Sequence, residues 1–224
     1  MLKAVFFDFD GTLAKTEEGY LHNYKKLIER IGFTFHKEDE PFLVGKGTIL
    51  RSEYLNEKYG YDIDGESLRK EFRKMNEEMF INEAGHFMYD DVLTCLEEMK
   101  KRGYALYLCT NTKRDLIDYA LGKMGIGSYF EGILSGQDPD VMIRKPDPGI
   151  YQTLLKRYGY EKEEAVVIED SPGGVIAARG AGILSIGLTR IIPAEVLQAD
   201  IAIPSLKELP DVLDKLSFDS HMNS

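Results

Sequence analysis

Two carboxylates one residue apart, Asp8 and Asp10, close an apolar run at the start of the chain, and a glycine and a threonine follow them (DFDGTL). Side chains two positions apart on an extended segment point the same way, so at a strand's end both can reach one ligand. One carboxylate can attack phosphorus to form an aspartyl phosphate. The other, kept protonated by the neighbouring anion, can pass a proton to a departing alkoxide. Other polar residues close later apolar runs. Thr110 and Asn111 follow YALYLC, Lys145 stands in RKPDPGIY, and Glu169, Asp170 and Ser171 follow AVVI. Hard carboxylate oxygens suit Mg²⁺, and Mg²⁺ with a lysine neutralises phosphoryl oxygens, so the set fits phosphoryl transfer. Each piece also has a plain structural reading. Asp-x-Asp-Gly is a common polar turn, Thr110-Asn111 could cap a helix, Lys145 could be a solvated loop residue, and Glu169–Pro172 could start a helix. Their occurrence in order, each at the end of an apolar run, is what argues for a site.

To converge, these residues must sit on elements that end at one edge. The runs at 4–9, 104–111, 165–171 and 183–188 are apolar on both faces, as buried parallel strands are, and 131–138 is a weaker fifth. Helical patterns separate them, several closed by glycine: DVLTCLEEMKKRG, RDLIDYALGKMG, GIYQTLLKRYG and GGVIAARGAG. The alternation predicts an α/β fold, a doubly wound, Rossmann-like parallel sheet that binds its ligand at the carboxyl ends of its strands. Residues 14–86 read differently. Leu21, Tyr24, Leu27 and Ile31, then Leu68, Phe72, Met75 and Met79, recur at helical spacing with no convincing strand between them. That stretch far exceeds the ~12 residues a crossover needs. The expected organisation is a catalytic core of residues 1–13 plus 87–216, an inserted all-helical cap of 14–86, and a polar, disordered tail at 217–224.

The net charge of −10, from 28 basic and 38 acidic residues, argues against a nucleic-acid surface. No apolar run reaches the length of a membrane span, and no signal-peptide cleavage pattern follows the first apolar patch. Cys95 and Cys109 each lie in an apolar stretch without a CxxC partner, which reads as two buried free thiols in a reducing cytoplasm. The expected partner is a small phosphorylated metabolite, with no nucleic acid and no membrane, and the expected state is a monomer or small homo-oligomer.

DFDGTL, the run ending in Thr110-Asn111, KPDP and EDSPGGVIAA together resemble the haloacid dehalogenase superfamily. The match looks like its branch with a helical cap after the first strand, which holds phosphoglycolate-phosphatase-like and β-phosphoglucomutase-like enzymes. The resemblance implies a Mg²⁺-dependent phosphatase in which Asp8 is the nucleophile and Asp10 the acid/base. It implies that Thr110 and Lys145 bind phosphate, with backbone contacts from Phe9 and Asn111. The metal would be held by Asp8, the Asp10 carbonyl, Glu169 and Asp170. In the cap segment LVGKGTILR, Lys46 or Arg51 is a candidate to reach a substrate anion, equally readable as a solvated helix start. Lys15 and Arg144 stand where many members carry an acid and a glycine, and both add positive charge. A β-phosphoglucomutase-like phosphomutase is the alternative enzyme reading, and a phospho-accepting receiver-like signalling domain is the non-enzyme one. A dehalogenase and a phosphonate-cleaving relative are disfavoured by the acidic metal pair and by Asp10.

Overall fold

The first strand buries both of its faces, and the rest of the sheet follows from that. Val5 and Phe7 join one apolar cluster while Ala4 and Phe6 join another on the opposite side, as the two-residue period of a strand requires. Leu106 and Leu108 against Tyr107 and Cys109 repeat the division, as do Val166 and Ile168 against Ala165 and Val167.

The computed structural model describes residues 1–222. β1 (Ala4–Phe7) is followed by four helices, α1 (Glu17–Arg30), α2 (Glu40–Leu43), α3 (Thr48–Tyr59) and α4 (Gly65–Glu83). The chain continues through α5 (Val92–Lys101), β2 (Ala105–Thr110), α6 (Arg114–Met124), β3 (Gly132–Ser135), α7 (Gly149–Tyr158) and β4 (Ala165–Glu169). It ends with α8 (Pro172–Gly180), β5 (Leu184–Leu188), α9 (Ala194–Leu197), β6 (Ile201–Ile203) and α10 (Leu209–Met222). The six strands form one parallel sheet in the order β3-β2-β1-β4-β5-β6. The predicted α/β architecture is the one observed. β6 was not foreseen, because three residues, IAI, are too few for a pattern.

The order reverses at β1, which pairs with β2 on one side and β4 on the other. Such a switch point opens a crevice at the carboxyl ends of the strands. The helices α1–α4 stand between β1 and α5 and carry a separate apolar cluster that includes Leu21, Tyr24, Leu27, Leu43, Leu55 and Leu68. Ile31, read as the next residue of the α1 stripe, lies past the end of that helix and is exposed. The end of α4 joins the main core through Met79 and Phe80. The tail does not begin as loose chain at Ser217. Leu209 and Leu213 anchor α10 in the core, and the helix runs on to Met222; residues 223 and 224 lie outside the described residues.

The chain leaves the sheet and returns to it side by side. Lys15 N donates to Phe87 O at 2.6 Å and Tyr89 N to Leu13 O at 3.2 Å, around an antiparallel bridge of Ala14 with Met88. A buried ion pair pins this crossing. Asp91 accepts from Arg190 Nη2 at 2.8 Å, Ser205 Oγ at 2.6 Å and Leu206 N at 3.0 Å, and Arg190 also donates to Thr12 O at 3.4 Å. The guanidinium lies 3.9 Å from the centre of the Tyr89 ring. Burial pushes the Asp91 carboxyl up, but the hydrogen bonds from Arg190 and Ser205 outweigh it and hold the group below its usual range. Asp91→Ala would strand Arg190, so it is expected to cost ~2–4 kcal/mol in urea unfolding at neutral pH. Because the folded pKa is depressed, this contribution is complete above the ordinary carboxylate range. It is lost as pH falls, so the gap between variant and wild type should narrow below about pH 4. A gap that is small at neutral pH, or that widens in acid, would contradict this account.

Candidate active site

Strand register brings the sequence motifs together. Phe7 lies level with Leu108 and with Ile168, so Asp8, Cys109 and Glu169 emerge side by side from three neighbouring strands. Asp8 N donates to Ile168 O at 3.0 Å, carrying the pairing one residue past β1. Lys145 reaches this row from the loop between β3 and α7. Its Nζ lies 2.5 Å from Asp8 Oδ1, 2.6 Å from Glu169 Oε1 and 2.7 Å from Cys109 O. Asn111 fixes the loop by a reciprocal pair: its Nδ2 donates to Lys145 O at 3.1 Å, and its Oδ1 accepts from Lys145 N at 2.9 Å. The position expected to act through its backbone thus has a structural task for its side chain. Its carbonyl accepts from Gln137 Nε2 at 2.7 Å. Thr110 is fully buried, and its Oγ1 accepts from Thr112 N at 3.0 Å.

Asp8, Glu169 and Asp170 are buried, and each offers one carboxylate oxygen within 4.8 Å of the others. Glu169 is satisfied on both oxygens, by Tyr151 OH at 2.9 Å and Ser171 Oγ at 3.0 Å. Two glycines make room for the acids. A Cβ on Gly174 would lie 1.8 Å from the Glu169 carboxyl carbon, and one on Gly11 (φ +77°) would lie 1.8 Å from Asp170 Oδ2. Burial raises the Asp8 carboxyl, opposed by Lys145 and reinforced by Glu169 and Asp10. Burial and then Asp8 and Glu169 push Asp170 well above its ordinary value, and no side-chain or backbone donor among the described residues reaches its carboxylate. Burial disfavours the Lys145 charge, but Asp8 and Glu169 overcome it and keep the ammonium protonated. With all three carboxylates ionised, one ammonium leaves two negative charges to be neutralised, which is the charge that the raised Asp8 and Asp170 carboxyls resist. The donor set therefore fits a divalent cation with hard oxygen ligands, held by Asp8, Glu169 and Asp170.

Asp10 stands apart from this cluster. Its carboxylate accepts from Thr16 Oγ1 at 2.7 Å, Tyr20 OH at 2.7 Å and Thr112 Oγ1 at 2.6 Å. The extended run that would aim Asp8 and Asp10 together ends with β1, and the chain turns at Gly11. The sequence reading missed these hydroxyls. A signal existed for two of them: Thr16 and Tyr20 are four apart at the start of α1 and share a face. It also passed over Tyr151, although that residue closes the motif KPDPGIY. Phe9 is fully buried and packs on Phe80 at 6.2 Å between ring centres, so only its backbone is left to meet a ligand.

A cavity of about 250 Å³ opens between α4 and the loop after β2, lined among others by Tyr20, Arg69, Arg73, Asn76, Asn111 and Thr112. Neither cap candidate lines it. Arg51 is a correction: its guanidinium is buried, donates to Leu43 O and Tyr20 O at 3.0 and 3.3 Å, and meets Glu17 Oε2 at 3.5 Å. It braces the helices and is not free for a ligand. Lys46 turns its ammonium over Tyr54, 5.5 Å from the ring centre. Lys15 pairs with Asp90 at 3.5 Å on the surface.

Comparison with known proteins agrees with this geometry. A family profile described as haloacid dehalogenase-like hydrolase matches residues 5–188. A phosphoglycolate phosphatase of Vibrio parahaemolyticus is 27% identical over 223 residues, spanning 95% of this chain and 96% of the relative. A phosphorylated carbohydrates phosphatase of Thermotoga maritima is 30% identical over 186 residues, 81% of this chain and 82% of that one. Among solved structures, a haloacid dehalogenase-like protein of Agrobacterium tumefaciens superposes with a TM-score of 0.83 at 23% identity, over 97% of this chain and 100% of that one.

Charge crowding at Asp170 gives a direct test. Asp170→Asn removes a buried carboxylate that no donor compensates, so without divalent cation it should raise the melting temperature at neutral pH. Magnesium chloride should raise the melting temperature of the wild type and have much less effect on the variant. Equal cation effects on both proteins would remove Asp170 from the cation site.

Proposed function

The chain belongs to the haloacid dehalogenase-like hydrolase family, and from that premise we propose that it is a Mg²⁺-dependent phosphatase cleaving a small phosphorylated metabolite through an aspartyl phosphate. One observation carries the reading: the Asp8 carboxylate, at the carboxyl end of the central strand, is bridged to Glu169 by the Lys145 ammonium beside a third acid. The named relatives are phosphatases, which speaks against the receiver-like alternative. Residues 1–13 with 87–216 form the catalytic core in this reading, and 14–86 are a cap that selects the substrate.

An Asp8 oxygen attacks phosphorus, the ester P–O bond breaks, and the alkoxide leaves with a proton from Asp10. Water then attacks the acyl phosphate and gives a proton to Asp10, releasing inorganic phosphate and restoring the Asp8 carboxylate. Lys145, the Thr110 hydroxyl and the backbone at Phe9 and Asn111 hold the non-bridging oxygens. Asp8, Glu169, Asp170 and the Asp10 carbonyl would hold Mg²⁺, which supplies charge neutralisation for the phosphoryl oxygens when bound. The hydroxyls of Thr16, Tyr20 and Thr112 orient Asp10 between its two proton transfers.

A panel of phosphorylated metabolites with Mg²⁺ tests the activity. Asp8→Asn should abolish turnover while the fold persists, since the amide is close in shape but a poor nucleophile. Asp10→Asn should slow an alkyl phosphate by ~10²–10⁴-fold and an aryl phosphate far less, because an aryl leaving group needs little protonation. Near-normal activity of Asp8→Asn would sink the covalent route, and equal losses on both esters in Asp10→Asn would sink the acid role.

A further inference from the structure

Among the ten arginines of the chain, only Arg73 and Arg144 have a side chain with no hydrogen bond and no ion pair to any described residue. Acids outnumber bases 38 to 28, so partners are not scarce. The other eight are engaged, from Arg30 with Glu71 to Arg190 with Asp91. Both stand on elements beside the site. Arg73 lines the cavity above the site together with Arg69, one turn back on α4 and on the same face. Arg144 directly precedes Lys145 and packs its side chain beside Gly136, next to Gln137, which lines the same cavity. Partial burial, and then the like charges of Arg73 and Arg69, lower the Arg144 pKa. Arg69 is partly offset by Glu66, at 3.0 Å from Nη1 to each carboxylate oxygen. The one acid on the cavity wall, Glu77, is already matched by Lys113 at 3.6 Å.

Like charges held together without counter-charge are unfavourable until an anion joins them. Three guanidiniums present planar donor forks, the geometry that recognises phosphate and carboxylate oxygens. Arg69 and Arg73 share their cavity with Asn111 and Thr112, which touch Lys145 and Asp10. An anion on the wall and a phosphate on the Asp8–Lys145 floor can therefore belong to one molecule. We propose that Arg73 and Arg144, with Arg69, read a second anionic group on the substrate. The preferred ester then carries another phosphate or a carboxylate besides the phosphate that is cleaved. This rests on the phosphatase reading above, which places the scissile phosphate on the floor.

The test compares kcat/KM, with Mg²⁺, for fructose bisphosphate against fructose monophosphate and for phosphoglycerate against glycerol phosphate. p-Nitrophenyl phosphate serves as the ester without a second anion. At least one doubly anionic ester should be preferred by about tenfold or more, and the two pairs distinguish phosphate from carboxylate. Arg73→Ala and Arg144→Ala should each shrink that preference several-fold more than they affect p-nitrophenyl phosphate, and Arg73→Lys should fall between. Both side chains are exposed, and thermal melting verifies that the variants fold. Calorimetric titration of the same esters into Asp8→Asn reads the wall without turnover. Turnover of p-nitrophenyl phosphate with no preference in either pair, or with one that both variants leave intact, overturns this inference and spares the phosphatase reading. No turnover of any ester, with Arg73-dependent tighter binding of a doubly anionic one, overturns the phosphatase reading and supports the wall.

Discussion

The site depends on one buried ammonium. Lys145 Nζ touches two carboxylates and a strand carbonyl within 2.7 Å, in an interior where an unpaired charge would be costly. What surrounds it keeps that arrangement satisfied. Asn111 clamps the Lys145 backbone from β2, and Tyr151 and Ser171 occupy the lone pairs of Glu169 that the ammonium does not use. The two motif glycines have the same logic. Gly11 and Gly174 lie where any side chain would collide with Asp170 or Glu169, so the acids can crowd together only because the backbone opposite them is bare.

A second network joins the floor to the helices above it. Asp10 takes hydroxyls from Thr16 and Tyr20 on the helical side and from Thr112 on the sheet side. Tyr20 in turn shares its carbonyl with the buried Arg51, which Glu17 also meets. The position of α1 and the position of the second carboxylate are therefore one structural variable, set at the crossing that the Asp91–Arg190 pair fixes.

The sheet and the floor of the site were legible in the sequence because both follow from one-dimensional rules. Apolar runs such as AVVI marked strands, and parallel pairing from a shared starting edge puts the residues after Phe7, Leu108 and Ile168 in one row. What depends on three-dimensional neighbours was not legible. Arg51 read as a candidate for a substrate anion or as a solvated cation in LVGKGTILR, and nothing local indicates that Glu17 and the Leu43 carbonyl fold around it. Ser217 onward looked like loose chain, because the leucines that hold α10 lie before it. Arg144 stood out only as a departure from a motif, and nothing local shows that α4 brings Arg69 and Arg73 onto the cavity beside the site.

The distribution of charge explains how an acidic protein can hold an anion. A phosphate dianion approaching the floor meets Asp8, Glu169 and Asp170 against Lys145 alone, a balance that repels it. The repulsion is strongest and least screened where the acids are most buried, and a divalent cation placed among them would cancel it locally. Further out, screening by water and salt is stronger, yet the guanidiniums of Arg69 and Arg73 lie on a partly enclosed wall where the field is focused. The net −10 is thus not the charge that a ligand in the cavity experiences. In the proposed reading, the guanidiniums favour an anion at the wall, and occupancy of the acid cluster by a cation is the condition for seating a phosphate beside Asp8.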